Sequence, residues 1–255
     1  MMVDRYYYQQ LNKEEQEIYR VFYYGVMDYK SIIPIPESGV LNQAIFEKIF
    51  QAITRDNPLI YFLNQSSCNI AMDAMGHVAI CPQYFFTKEK VKEYNRKIEK
   101  VVNGLVGQLR LPECNDYEKE LRVHDWICQN VAYDYEGMDK NKVSRVIASH
   151  NILGVFAYHK AQCEGIAKAV KVLLNAVDVK CIVVTGDSVK SGRSVPHAWN
   201  IVDIGTEPYQ LDVTWDIGAM GQSKHHIAHD YFNLTDELMN QDHKTDSRLP
   251  ECKSK

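Results

Sequence analysis

Along the first two thirds of the chain, apolar residues recur at intervals of three and four, the mark of helices with one buried face. Leu11, Ile18, Val21, Phe22 and Val26 form one such stripe between residues 11 and 29. Two prolines and a glycine in "SIIPIPESG" end it, since proline lacks a backbone N–H and glycine favours turns. A second helix is predicted over "VLNQAIFEKIFQAITRDNP", stopping at Asn57-Pro58. Residues 59–86 are rich in aromatic and β-branched side chains and read as short strands around Gly76. A long helix follows from a Thr87 cap to Leu109, then another over "NDYEKELRVHDWICQNVAYDY", capped by Asn115 or Asp116. The stretch from Glu136 to Asn151 reads as a loop. A further amphipathic helix carries Ile166, Val170, Leu173, Leu174 and Val177.

Beyond that helix the period changes to two. "KCIVVTGD" predicts a strand ending in a Gly-Asp turn, and "PHAWNIVDIG" and "PYQLDVTWD" predict two more. The last two are joined through Gly205-Thr206-Glu207 as a hairpin. "YFNLTDELMNQDHK" predicts a short strand and a helix. Helices first and strands later give an α+β class. The short linker "RLPECNDYE" separates a mostly helical N-terminal extension, residues 1–110, from a core over residues 111–255.

Composition narrows the function. The chain has 255 residues, 45% of them apolar, enough for a substantial core. A net charge of −4 with mixed signs and no basic run excludes a nucleic-acid partner. No apolar run reaches membrane-spanning length. The polar start "MMVDRYYYQQLNKEEQ" has no signal-peptide core. That places the chain in the cytoplasm as it stands, or outside the cell if an export signal has been removed. Seven scattered cysteines, with no Cys-x-x-Cys, argue against a disulfide framework and a cysteine zinc site. Cys128 and Cys181 fall among apolar residues and read as core thiols.

Cys163 differs. It stands between Gln162 and Glu164-Gly165 at the mouth of its helix, before the apolar series begins. Unpaired backbone N–H groups and the positive end of the helix dipole favour a thiolate there. A nucleophile needs a base, and His197 lies on the strand "VPHAWNIV". An aspartate inside the apolar run "LDVTW" needs a partner, and a histidine ring N–H supplies one. Paired antiparallel, the two strands make His197 and Asp212 cross-strand neighbours. The aspartate then fixes the ring so that its other nitrogen meets Cys163.

The stretches "AQCEGIAKAV", "PHAWNIV" and "YQLDVTWD" together resemble the transglutaminase-like superfamily of papain-like cysteine enzymes, in the chain order Cys, His, Asp. "DYEKELRVHDWICQNVAYDY" resembles the helix preceding the core in its small bacterial members. The resemblance implies a Cys-bearing helix packed on an antiparallel sheet. It implies Cys163 as nucleophile, His197 as base and Asp212 as orienter, acting on a peptide or protein substrate without cofactor or metal. The implied chemistry is acyl transfer through a thioester, with a peptidase or amidase favoured over a protein-glutamine transglutaminase. The large calcium-binding transglutaminases need extra domains for which this chain has no room. The Cys163 N–H is one oxyanion donor. Gln162, Tyr158 and His159 are the neighbours from which a second could come. Trp199 flanks His197 or fills the core. Tyr133 and Asp134 help form the site wall in the resemblance. A non-catalytic peptide-binding or scaffold module is the rival class, and the three residue types together favour the enzyme. Oligomeric state has no signature in the sequence.

Other histidines invite weaker readings. His225 and His229, four apart in "SKHHIAHDYF" beside His226, would share a metal only if helical, and a solvated loop is the simpler expectation. His124, followed by Asp125, is expected to be semi-buried and hydrogen-bonded. The tyrosines of "RYYYQQ" and "VFYYG" are expected to cover a core edge.

Overall fold

The computed structural model of the protein describes residues 5–36, 41–138, 147–190, 192–219, 226–245 and 248–254. The chain divides into two compact units, Arg5–Lys97 and Ile98 onward, and the division falls within one long helix.

The first unit holds α1 (Tyr6–Gln9), α2 (Lys13–Met27) and α3 (Gln43–Asp56). It also holds an antiparallel sheet of β1 (Ile33–Pro34), β2 (Asn69–Met72) and β3 (Val78–Cys81), in the order β1-β3-β2. Asn12 starts α2 with a reciprocal capping box to Glu15. Phe22 of the predicted stripe is buried, its ring 6.1 Å from those of Phe46 and Phe50 on α3. Asp56 accepts from the backbone N–H groups of Tyr7 at 3.0 Å and Tyr8 at 2.9 Å. Of the tyrosines in "RYYYQQ" and "VFYYG", Tyr7 is buried in the core and Tyr24 is exposed. The boundary helix is α4 (Lys88–Gln108), where Lys90 N–H donates to the Thr87 hydroxyl at 3.3 Å.

In the second unit, α5 (Asp116–Asn130) begins at Asn115, again with a capping box, to Glu118. Strands β4 (Ala132–Tyr133) and β5 (Lys160–Ala161) pair in parallel, with α6 (Ile152–Tyr158) between them. Then come α7 (Cys163–Asn175), β6 (Cys181–Lys190), β7 (Arg193–Ile204), β8 (Glu207–Leu211), α8 (Val213–Ala219), α9 (Asp236–Met239) and β9 (His243–Lys244). The four strands form one antiparallel sheet in the order β8-β7-β6-β9. Against β6 and β7 lies α7, burying Ile166, Val170, Leu173 and Leu174. The Asn200 amide on β7 donates to the carbonyls of Ala167 and Ile182, both at 3.0 Å, fastening helix to sheet. Lys171 is buried as well and donates to the Cys181 carbonyl at 2.7 Å. The fold is therefore α+β, with the Cys-bearing helix on an antiparallel sheet.

Two local expectations change. Gly186-Asp187 is no turn: β6 runs through it to Lys190. Gly186 is instead where β9 ends its pairing along β6, since a Cβ there would collide with the Lys244 carbonyl. The third strand stops at Leu211, because Asp212 caps a helix with its own carboxylate, accepting from Trp215 N–H at 3.1 Å. The pairing of β7 with β8 ends at Asn200 opposite Leu211, and His197 sits opposite Gly186. His197 and Asp212 are thus not cross-strand partners. They meet because the chain turns at Asp212.

Candidate active site

Cys163 is the first residue of α7 and Gln162 its N-cap. The thiol is half-buried and packs against Ala167, Val183 and Ala198. The helix can start here because Gly165 has no side chain. A Cβ would strike the carbonyls of Ser149 and Asn151.

His197 projects from β7, 8% exposed. Its Nε2 donates to Asp212 Oδ2 at 2.6 Å, which leaves Nδ1 as the ring's second nitrogen, and the Cys163 sulfur is near enough to act electrostatically on the ring. Burial alone would lower the His197 pKa. The Asp212 carboxylate and the Cys163 sulfur outweigh it and raise the pKa well above the ordinary histidine value. Burial likewise pushes Asp212 up, but the His197 and His243 bonds hold it below the usual carboxylate range. Trp199 lies parallel to the His197 ring, and its indole N–H donates to Gln210 Oε1 at 2.8 Å. That bond commits the indole N–H to Gln210, and the indole face covers the histidine ring.

The remaining neighbours lie apart from one another. One N–H of the Gln162 amide is committed to the Asp134 carbonyl at 3.2 Å. Tyr158 is 65% exposed at the end of α6. His159 follows it in left-handed conformation, its ring 6.1 Å from that of Trp126. Asp134 is buried and accepts from the Ser149 hydroxyl. Tyr133, paired with Ala161, is close enough to Cys163 and Asp212 to feel their charge. Burial first, then those charges, raise its phenol to about 12. It is therefore a neutral O–H donor at working pH.

His243 has no precedent in the sequence reading. Fully buried on β9, it donates from Nε2 to the same Asp212 oxygen at 3.0 Å, while its Nδ1 meets Asp242 Oδ1 at 2.6 Å. Tyr231 O–H closes the far side on Asp242 Oδ2 at 2.6 Å. The Tyr231 carbonyl accepts from Asp212 N–H at 2.9 Å. The only cue in the sequence is a histidine among polar residues, "NQDHK", with no periodicity to mark it.

A second buried network stands on α5. His124, fully buried rather than semi-buried, reaches Asp125 through Nδ1 at 2.9 Å and Asp216 through Nε2 at 3.1 Å. Cys128 sulfur lies 3.6 Å from the same Nε2, so this core thiol has a polar neighbour. His229 reaches Asp125 at 2.8 Å, an acidic partner that the sequence did not reveal. His225 lies outside the described residues. His124, Asp125 and His229 could together hold a metal ion, as could His197, Asp212 and His243. In each group the nitrogens and oxygens already satisfy one another as hydrogen bonds.

Residues 103–213 match the transglutaminase-like superfamily. Similar solved structures include the following two. One, described as the crystal structure of a TGase, has a TM-score of 0.41 at 16% identity and covers 75% of this chain and 52% of its own. The other, a "Putative Cysteine Protease from Cytophaga hutchinsonii", has a TM-score of 0.37 at 13% identity and covers 58% and 61%. The chain spans between half and two thirds of the length of either. No curated protein matches its sequence.

Proposed function

We propose, from the transglutaminase-like core over residues 103–213, that the chain is a cysteine-dependent acyl-transfer enzyme acting on peptide or carboxamide bonds. Hydrolysis is the favoured outcome. The observation that carries the reading is the buried His197–Asp212 pair at 2.6 Å, with the Cys163 thiol at a helix start near enough to act on the same ring. The Cys163 sulfur attacks the carbonyl carbon of the substrate, forming a tetrahedral oxyanion. The free N–H groups at the start of α7 face the developing charge, with Cys163 N–H foremost. Tyr133 O–H is the neighbour best suited to a second bond, being a neutral donor. The His197 imidazolium gives its Nδ1 proton to the leaving amine and Asp212 steadies the ring as it does. Water, activated by the now neutral His197, attacks the thioester, releasing the acid and restoring the thiol.

The test is a brief iodoacetamide pulse across pH, followed by peptide mapping of all seven cysteines. Selective reaction of Cys163 below pH 7, lost in His197→Ala, supports the reading. Reaction of Cys163 no faster than the other thiols overturns it and favours the binding-module class.

A further inference from the structure

We propose that His243 is a positioning residue of this site: through its bond to Asp212 Oδ2 it moderates the hold of that carboxylate on His197. The role rests on the Cys163–His197–Asp212 reading above. The geometry is specific. His197 and His243 donate to one and the same oxygen, at 2.6 and 3.0 Å, while among the described residues the other oxygen accepts from the Trp215 N–H at 3.1 Å. Charge drawn from Oδ2 by His243 is charge that His197 no longer feels. The orientation of Asp212 does not need His243, because the helix cap and the His197 bond already fix it. What His243 adds is electrostatic.

The surroundings make this effect strong. Asp212 and His243 are each 1% exposed, so water does not screen them. The His197 and His243 rings lie 5.3 Å apart between centroids. Around His197 the charged or titratable groups are Cys163 from α7, Asp212 before α8 and His243 from β9. Around His243 they are Asp212, Asp242 and, behind Asp242, the Tyr231 hydroxyl. Tyr133 and Asp216 act on Asp212 from farther off. Both ring nitrogens of His243 face carboxylate oxygens, and Nε2 is the one that meets Asp212. In either charge state, removing it leaves Asp212 a stronger partner for His197. A more tightly held imidazolium surrenders its proton to the leaving amine less readily. His243 thus sets a compromise: His197 basic enough to draw the proton from Cys163, acidic enough to release it.

The experiment uses the full chain with ¹⁵N-labelled histidine, reading the His197 ring nitrogens against pH by NMR and assigning them with His197→Ala. In His243→Leu the His197 midpoint rises by about one pH unit or more. In His243→Gln, whose amide N–H replaces the Nε2 donor, it returns toward the wild-type value. Turnover falls in His243→Leu through kcat, with KM unchanged, because His243 lies beneath the site. A midpoint that stays or falls in both variants overturns the proposal, as does an equal rise in both. Should the leucine variant not fold, His243→Ala carries the same reading, with the same rise expected. Iodoacetamide mapping of the wild type keeps the two ideas apart. Cys163 reactivity indifferent to His197→Ala sinks the acyl-transfer reading. The NMR midpoint still reports on His243 and Asp212.

Discussion

The indole of Trp199 lies nearly parallel to the imidazole of His197, 18° between planes and 6.0 Å between centroids. An aromatic face against a ring destined to be cationic is favourable and also displaces water. Trp199→Ala would leave a cavity in the sheet–helix core at a cost of about 3–5 kcal/mol, with loss of fold as one result of heating. Trp199→Phe is the informative change. It keeps the stacking but orphans Gln210 Oε1, at about 1–3 kcal/mol. We expect that variant to melt lower yet retain the pH dependence of Cys163 alkylation. A profile shifted toward that of His197→Ala would show the indole to be more than a shield.

Asp212→Asn is expected to lower kcat by about 10²–10⁴-fold. Its amide oxygen can still face His197 and His243, but its NH₂ then opposes the Trp215 N–H, donor against donor. The alkaline limb of activity is the sharper measurement. His197 is raised above its ordinary value mainly against its own burial, by Asp212. The wild-type imidazolium therefore persists above about pH 6.5 and activity declines only as pH rises through the raised value. In the asparagine variant this limb moves down. An unmoved limb would remove Asp212 from the mechanism.

Glu120 on α5 is fully buried, and among the described residues neither carboxyl oxygen has a hydrogen-bond partner. Burial raises its pKa to about 8. A carboxyl raised in the folded state keeps its proton there while the unfolded chain releases it. Stability is therefore lost as pH rises from about 4.3 toward 8. Glu120→Gln is expected to be more stable than wild type at pH 7, by on the order of 3 kcal/mol. It should also show a flatter dependence of Tm on pH over that range. Equal melting curves at pH 5 and pH 8 in wild type would contradict this.

Gly186→Ala tests the close pairing of β9 along β6. The new methyl meets the Lys244 carbonyl and the Trp199 ring edge, and overpacking of this kind costs about 1–3 kcal/mol. Backbone bonds on either side, including Val189 N–H to Asp242 C=O at 2.7 Å, must yield. Hydrogen exchange should quicken in β9 and neighbouring β6 while α7 stays protected. Uniform quickening would mean that the strand is not separately hinged.

The sequence shows some parts of this molecule well and others hardly at all, and the difference is one of range. Caps such as Asn12 and Asn115 are three residues from their partners. The β7–β8 hairpin turns on Gly205-Thr206, and α7 announces itself by the spacing of its apolar residues. The residue types Cys163, His197 and Asp212 can be picked out in order, but their distances cannot. "LDVTWD" carries β-branched residues at strand spacing, so the switch from strand to helix at Asp212 is hidden until the carboxylate is seen capping it. His243 belongs to a strand two residues long, too short for any period. His124 and Asp216 are 92 residues apart, and nothing local links them.

The bonds from Tyr231 and His243 onto Asp212 have a consequence for the order in which the chain is made. A nascent polypeptide that has emerged as far as α8 already holds the thiol, the imidazole and the carboxylate. It lacks the carbonyl that anchors Asp212 from behind and the ring that shares its oxygen. The thiol is therefore present in a partly assembled setting for the seconds that synthesis of the next thirty or so residues takes. Asp212 gains its backbone anchor and its second ring donor only once Tyr231 has been added and β9 has paired with β6.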